Sequence, residues 1–154
     1  MSILITNKPG TSGGSTIVGS VSGRYHSTSG TLTSSDSLIT YTTKDFDLPT
    51  TNYVSGVLTI PTTGKYTFMA KFISASGGTG TNNQISIYQN NVLVSSVVSF
   101  LDGGSGNNKD VMIVDTLACT AGDTIKIEGN DTGTTPSLNS STTRSAFTWV
   151  LSGT

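Results

Sequence analysis

A chain of 154 residues is long enough for one domain with a real core, burying roughly 70% of its unfolded surface, and short for two. Only 11% of residues are charged, and Lys+Arg (8) nearly balance Asp+Glu (9) for a net charge of −1, so the basic stripe that nucleic acid requires is missing and no nucleic-acid partner is expected. Ser, Thr, Asn, Gln and Gly must cover the surface instead; they suit short strands and turns, whereas strong helix formers are scarce and Glu occurs once, at Glu128.

The expected organisation is therefore all-β. The opening MSILITNKPG holds only three consecutive apolar residues, Ile3, Leu4 and Ile5, too few for a signal-peptide core or a membrane span. Neither export nor a membrane partner is expected. Pro9-Gly10-Thr11-Ser12-Gly13-Gly14-Ser15 then forms a strap that cannot be helical, and a second small apolar patch follows at Ile17, Val18 and Val21. Residues 1–24 read as an extended N-terminal arm, with Ile3, Leu4, Ile5, Ile17 and Val18 as its partner-binding residues; an ordinary unstructured terminus is the alternative. Residues 25–154 read as one domain.

Within that domain Thr31-Leu32-Thr33 and Leu38-Ile39-Thr40-Tyr41 are short strand candidates, and Lys44 to Pro49 reads as a loop plugged by Phe46 and Leu48. After Tyr53-Val54 comes the stretch GVLTIPTTGKYTFMAKFI, residues 56–73. Val57 to Ile60 is a strand, and Pro61-Thr62-Thr63-Gly64 is a turn in which Gly64 is expected to supply a left-handed residue. Tyr66 to Ile73 then alternates, placing Tyr66, Phe68, Ala70 and Phe72 on one face. A polar loop at 74–83 leads to strands at Gln84–Tyr88 and Val92–Val94, joined by Asn90-Asn91 as a hairpin turn. Lys109 to Ala118 and Thr124 to Glu128 are further strands around the turn Ala121-Gly122-Asp123, with polar loops at 102–109 and 129–144. Ser145 to Leu151 closes the chain with Phe147, Trp149 and Leu151 on one face. Eight to ten strands at this spacing predict a sandwich or jelly roll, and no long internal repeat supports a propeller or solenoid.

Four segments match one pattern in order. The run from Tyr53 to Phe72, which carries Y-x2-G-x3-I-P-x2-G-x-Y-x-F, resembles the central signature of the complement C1q family, the trimeric jelly rolls related to tumour necrosis factor. ISIYQNNVLV (85–94), LACTAGDTIKIEG (117–129) and RSAFTWVLSG (144–153) resemble that family's later strands, so the likeness covers roughly residues 30 to 153. Trp149 departs from it, standing where the family often has a small residue, and no collagen-like stalk precedes the domain. The resemblance implies an antiparallel jelly roll and a homotrimer whose inner sheets pack around an axis. It makes Tyr66, Phe68, Tyr88, Phe147 and Trp149 the trimer-interface candidates, although each taken singly serves equally well as intradomain core.

Catalytic material is sparse. His26 is the only histidine and lies beside no nucleophile-elbow signature, and Cys119, the only cysteine, sits in an alternating run as a small apolar strand residue. Asp45, Asp47, Asp102 and Asp131 lack calcium-loop spacing and read as solvated loop charges, with a calcium site at one of them the alternative that the resemblance implies; no metal, cofactor or enzymatic activity is expected. A short Ser/Thr/Gly-rich chain carrying such a head on a flexible arm looks like a bacteriophage particle component. The expectation is a capsid decoration (cement) protein made in the host cytoplasm, located on the virion exterior and bound to the major capsid protein or another particle component. The alternative is the receptor-binding knob of a tail fibre, meeting host glycans through the three polar loops.

Overall fold

The computed structural model describes residues 21–27, 32–48, 53–74, 81–101, 109–132 and 145–153, and no helix occurs among them. The arm residues Ile3, Leu4, Ile5, Ile17 and Val18 lie outside this set, as does most of each polar loop. Eleven strands follow one another: β1 (Ser22–Ser27), β2 (Ser37–Leu38), β3 (Thr43–Leu48), β4 (Tyr53–Val54), β5 (Val57–Thr59), β6 (Gly64–Ser74), β7 (Thr81–Gln89), β8 (Val92–Leu101), β9 (Lys109–Cys119), β10 (Thr124–Asp131) and β11 (Ser145–Gly153). They form two antiparallel sheets, a first in the order β3-β1-β11-β6-β9 and a second in the order β4-β5-β10-β7-β8, with β2 alongside β10. The chain crosses repeatedly between the two, as in a jelly roll.

Alternation builds the core. Tyr66, Phe68, Ala70 and Phe72 of β6 and Phe147, Trp149 and Leu151 of β11 point inward from the first sheet and are all buried. Leu58, Ile85, Ile87, Ile125 and Ile127 meet them from the second sheet. The rings are in contact: Phe147 lies 5.2 Å from Trp149 and 6.2 Å from Phe68, centroid to centroid, and Trp149 stacks on Tyr25 at 5.8 Å. The indole fits because its cross-strand partner is Gly23. A Cβ at that position would fall on the indole ring. Toward one end of the strands the apolar filling gives way to buried Ser27, Ser74, Asp131 and Ser145. There the Ile73 N–H donates to Ser145 Oγ at 3.1 Å, and the Ser74 hydroxyl donates to Asp131.

The hairpin expected at Asn90-Asn91 is present: both residues have positive φ, 53° and 66°, the conformation a two-residue turn between twisted strands needs. Three expectations are corrected. Thr43–Leu48 is a strand paired with β1, not a loop. Its buried residue is Asp47, which accepts a hydrogen bond from the Tyr25 hydroxyl at 3.1 Å, so Phe46 and Leu48 point outward as neighbours in a period of two and plug nothing. Gly64 opens β6 without a left-handed φ. It is required by close approach instead, since a Cβ there would lie 2.7 Å from the Gly153 carbonyl oxygen. The sheet also begins at Ser22, with Val21 already in the core and its carbonyl accepting from the Leu151 N–H at 2.8 Å. Ser22, Gly23 and Arg24, read from composition as the end of the arm, are sheet residues.

One carboxylate ties two turns together. Asp123 Oδ1 accepts from Asn90 Nδ2, and its Oδ2 accepts from the Thr120 N–H and Gln89 Nε2, each at 2.8 Å. The Asn90 bond first, then those from Thr120 and Gln89, hold this carboxyl below the usual carboxylate range. Because the folded pKa is depressed, the stabilisation is fully present above the unfolded value of about 3.9 and is lost as pH falls through the folded one. Asp123→Asn should therefore flatten the loss of stability on acidification below about pH 4. Urea unfolding at a series of pH values checks this, and an unchanged pH profile would contradict it.

Candidate functional site

The aromatics nominated for a partner face are mostly not on a surface. Tyr66, Phe68 and Phe147 have 0% of their area exposed and Trp149 has 1%, all within a single protomer. A side chain closed off by its own sandwich cannot also touch a second chain, so these four are core and the assignment to the trimer interface is corrected. Tyr88 is half-buried, on the outer face of the second sheet. Large alternating aromatics signal burial but not what buries them, and here the second sheet suffices.

The apolar surface lies elsewhere, on the outer face of the first sheet. Strand register lines up Phe46, Arg24, Thr148, Met69 and Val114 in one row across the sheet. The next row runs Leu48, Ser22, Val150, Thr67 and Thr116. Met69, Met112, Val114 and Val150 are 36–55% exposed, and Phe46 and Leu48 at the β3 edge are 44% and 57% exposed. Charge gathers at the margins. Asp45 binds His26 Nδ1 at 2.9 Å and Arg24 at 3.4 Å on one side, and Lys71 lies 3.8 Å from Asp110 on the other. The exposed apolar side chains thus gather over β11, β6 and β9 and again at the β3 edge, with Ser22, Arg24 and Thr148 between them, a mixed apolar and polar face of the kind interfaces use.

A second apolar surface runs along the flank of the sandwich. β8 ends the second sheet and β9 ends the first, and among the described residues each pairs on one side only. Val97 lies opposite the fully buried Ile85 and shares its inward face, yet is 40% exposed because no strand lies beyond it. Val92, Leu93, Val94 and Val98 are likewise exposed, so this edge strand carries exposed apolar side chains on both faces. An open edge of this kind invites pairing or packing unless something covers it. The signal was present in VMIV (111–114) and VLVSSVV (92–98), where apolar residues occupy both faces of a strand although a sandwich buries one.

Other candidate groups are accounted for locally. Cys119 is 4% exposed, and burial pushes its thiol up to about 11, so it stays protonated and inert at neutral pH. His26 lies on the outer face of the first sheet, held by Asp45. No group of three metal-ligating side chains occurs among the described residues.

No protein-family model and no curated protein matches the sequence. Solved structures do. The globular domain of the zebrafish complement 1qA protein aligns with 17% identity and a TM-score of 0.59 over 85% of this chain and 94% of that one. Eiger TNF from S. frugiperda aligns with 10% identity and a TM-score of 0.59 over 85% of this chain and 91% of its own. At these identities the likeness is one of fold: the chain is an all-β, two-sheet jelly roll of the C1q and TNF type.

Proposed function

We propose that this chain is a non-enzymatic structural protein that assembles as a homotrimer and decorates the exterior of a bacteriophage head, anchored partly by its N-terminal arm. The observation that carries the assembly is the pair of unlike apolar surfaces on one protomer, the face around Met69 and Val114 and the flank around Val92 and Val97. Face on face or edge on edge would pair two copies about a twofold axis and leave the other surface bare. The flank of one copy laid on the face of the next covers both, and such a head-to-tail contact closes into a ring when its rotation permits. The likeness to C1q and TNF domains supports three as the number.

The particle reading rests on the arm. Residues 1–20 precede Val21, where the chain enters the core, and they place Ile3-Leu4-Ile5 at the far end of a Gly/Ser/Thr strap. Three such apolar tips on one trimer would bind the major capsid protein, or another particle component, with the avidity of linked sites. Deleting residues 1–20 should leave a folded trimer that no longer cosediments with particles. Undiminished cosedimentation would remove the arm from the account, and loss of the trimer would make the arm part of the head.

A further inference from the structure

The outer face of the second sheet carries a group of side chains that the core does not use and that the account of the flank and the first-sheet face leaves unassigned. Three directly facing pairs of β7 and β10 point away from the core there: Tyr88 opposite Lys126, Ser86 opposite Glu128, and Gln84 opposite Asn130. Asp36, exposed in the segment before β2, closes the group. Its Oδ2 accepts from the Tyr88 hydroxyl at 3.3 Å and its Oδ1 from Asn130 Nδ2 at 2.6 Å. Lys126 Nζ lies 2.8 Å from Glu128 Oε1 and 5.4 Å from the centre of the Tyr88 ring.

These bonds fix how the tyrosine lies. Its backbone is in the row shared with Lys126, while its hydroxyl reaches the carboxylate that Asn130 binds two rows along. The ring therefore runs along the strand across the Ser86 row. Ser86 has 0% of its area exposed although it sits on the outer face of the sheet; its hydroxyl donates to Ser96 Oγ at 3.0 Å and accepts from Gln84 Nε2 at 3.1 Å.

The composition of the chain makes the placement notable. Of five tyrosines, Tyr25, Tyr41, Tyr53 and Tyr66 are buried in the core, which leaves Tyr88 as the one outside it. The only glutamate of the chain is in the same group. The seven-residue register of β7 on β10 is made by backbone hydrogen bonds and does not depend on any of these side chains.

We infer that Asp36, Gln84, Tyr88, Lys126, Glu128 and Asn130 form a saccharide-binding platform on the outward side of the sandwich. A sugar ring presents an apolar C–H face and a fringe of hydroxyls, and the platform presents the complements of both. The half-buried tyrosine offers a polar tip and the part of its ring that the Lys126 ammonium lying over it leaves uncovered. Each carboxylate has about four acceptor sites, so Asp36 and Glu128 keep capacity for incoming hydroxyl donors after their internal bonds are made, and the two amides and Lys126 donate as well as position. The side chains are already locked by one another, which reduces the entropy lost on binding. The platform lies on the sheet opposite the apolar face at Met69 and Val114 and borders the flank, with Leu93 and Val98 of β8 in register with Tyr88 and Gln84. It goes beyond the assembly reading and does not depend on it.

The test is a printed array of bacterial and eukaryotic oligosaccharides probed with the full-length protein and three variants. Wild type is expected to retain a defined subset of sugars. Tyr88→Ala should lower that signal by about tenfold or more, and Glu128→Gln should lower it without loss of volume. Tyr88→Phe keeps the ring but not the bond to Asp36, and should fall between wild type and Tyr88→Ala. Melting temperatures within a few degrees of wild type establish that the variants are folded. If Tyr88→Ala proves unfolded, Tyr88→Phe and Glu128→Gln decide. No retained sugar with wild type, or retention unchanged in the folded variants, would overturn the platform. Light scattering on the same samples reads assembly separately, so the failure of one reading is not mistaken for failure of the other.

Discussion

Trp149→Ala is expected to cost about 3–5 kcal/mol of folding free energy, a large part of the roughly 5–15 kcal/mol that a domain holds in total. The indole is 1% exposed and touches Tyr25, Tyr53 and Phe147 at centroid distances of 5.2–6.0 Å, so its removal leaves a cavity in the most aromatic part of the core. The cavity cannot close readily, because the opposing β1 residue is Gly23, which has no side chain to move into it. For the same reason Gly23→Ala should itself cost about 1–3 kcal/mol, although it adds a single methyl group, because that methyl falls on a ring that the core does not let move. The two positions act as one unit. Gly23→Ala combined with Trp149→Phe should lose less than the sum of the single changes, by about 0.5–3 kcal/mol of coupling. Urea unfolding at one fixed protomer concentration measures all of these, since the stability of an assembling protein depends on its concentration. Strict additivity would show that the glycine is not there for the indole.

Val114→Asp is expected to convert the proposed trimer to folded monomers. Val114 is 55% exposed in the single protomer and lies on the edge strand β9 in register with Met69, within the apolar part of the face. In a monomer an aspartate there points into water and costs little. Against the apolar flank of a neighbouring copy, the same carboxylate is buried without a partner, which costs about 3–5 kcal/mol per contact and weakens association by about two to four orders of magnitude. Val54→Asp is the control. Val54 is 62% exposed, but on β4 of the second sheet, and the trimer should survive its replacement. Size by light scattering, with circular dichroism to confirm the fold, separates the outcomes. A trimer that tolerates Val114→Asp would move the interface off this face.

The two surfaces are legible in the sequence only in part, and the reason is physical. Period-2 alternation of large residues, as in Tyr66, Phe68, Ala70 and Phe72, reports which residues share a face and that the face is covered. It does not report whether the cover comes from the same chain. The aromatics of β6 and β11 thus suggested a partner that their own second sheet already supplies. Smaller and less conspicuous residues, Met69, Met112, Val114 and Val150, carry the excess. Strand β3 was hidden by composition: in Lys44-Asp45-Phe46-Asp47-Leu48 the charges suggest a loop, and the alternation becomes visible only once Asp47 is found bonded to Tyr25. Gly64 shows the same limit in a backbone. A glycine after a proline turn reads as a left-handed residue, whereas what it relieves is contact with Gly153, 89 positions away in the chain. Local rules succeeded where the cause was local, as at Asn90-Asn91.

The most direct test of the proposed assembly is the mass of the purified full-length protein in solution, measured by light scattering coupled to size exclusion. One outward face and one open edge that cover each other predict a single species of three times the 15.9 kDa chain mass, stable on dilution. A monomer at every concentration would contradict the account, because the exposed apolar face and flank would then have no occupant.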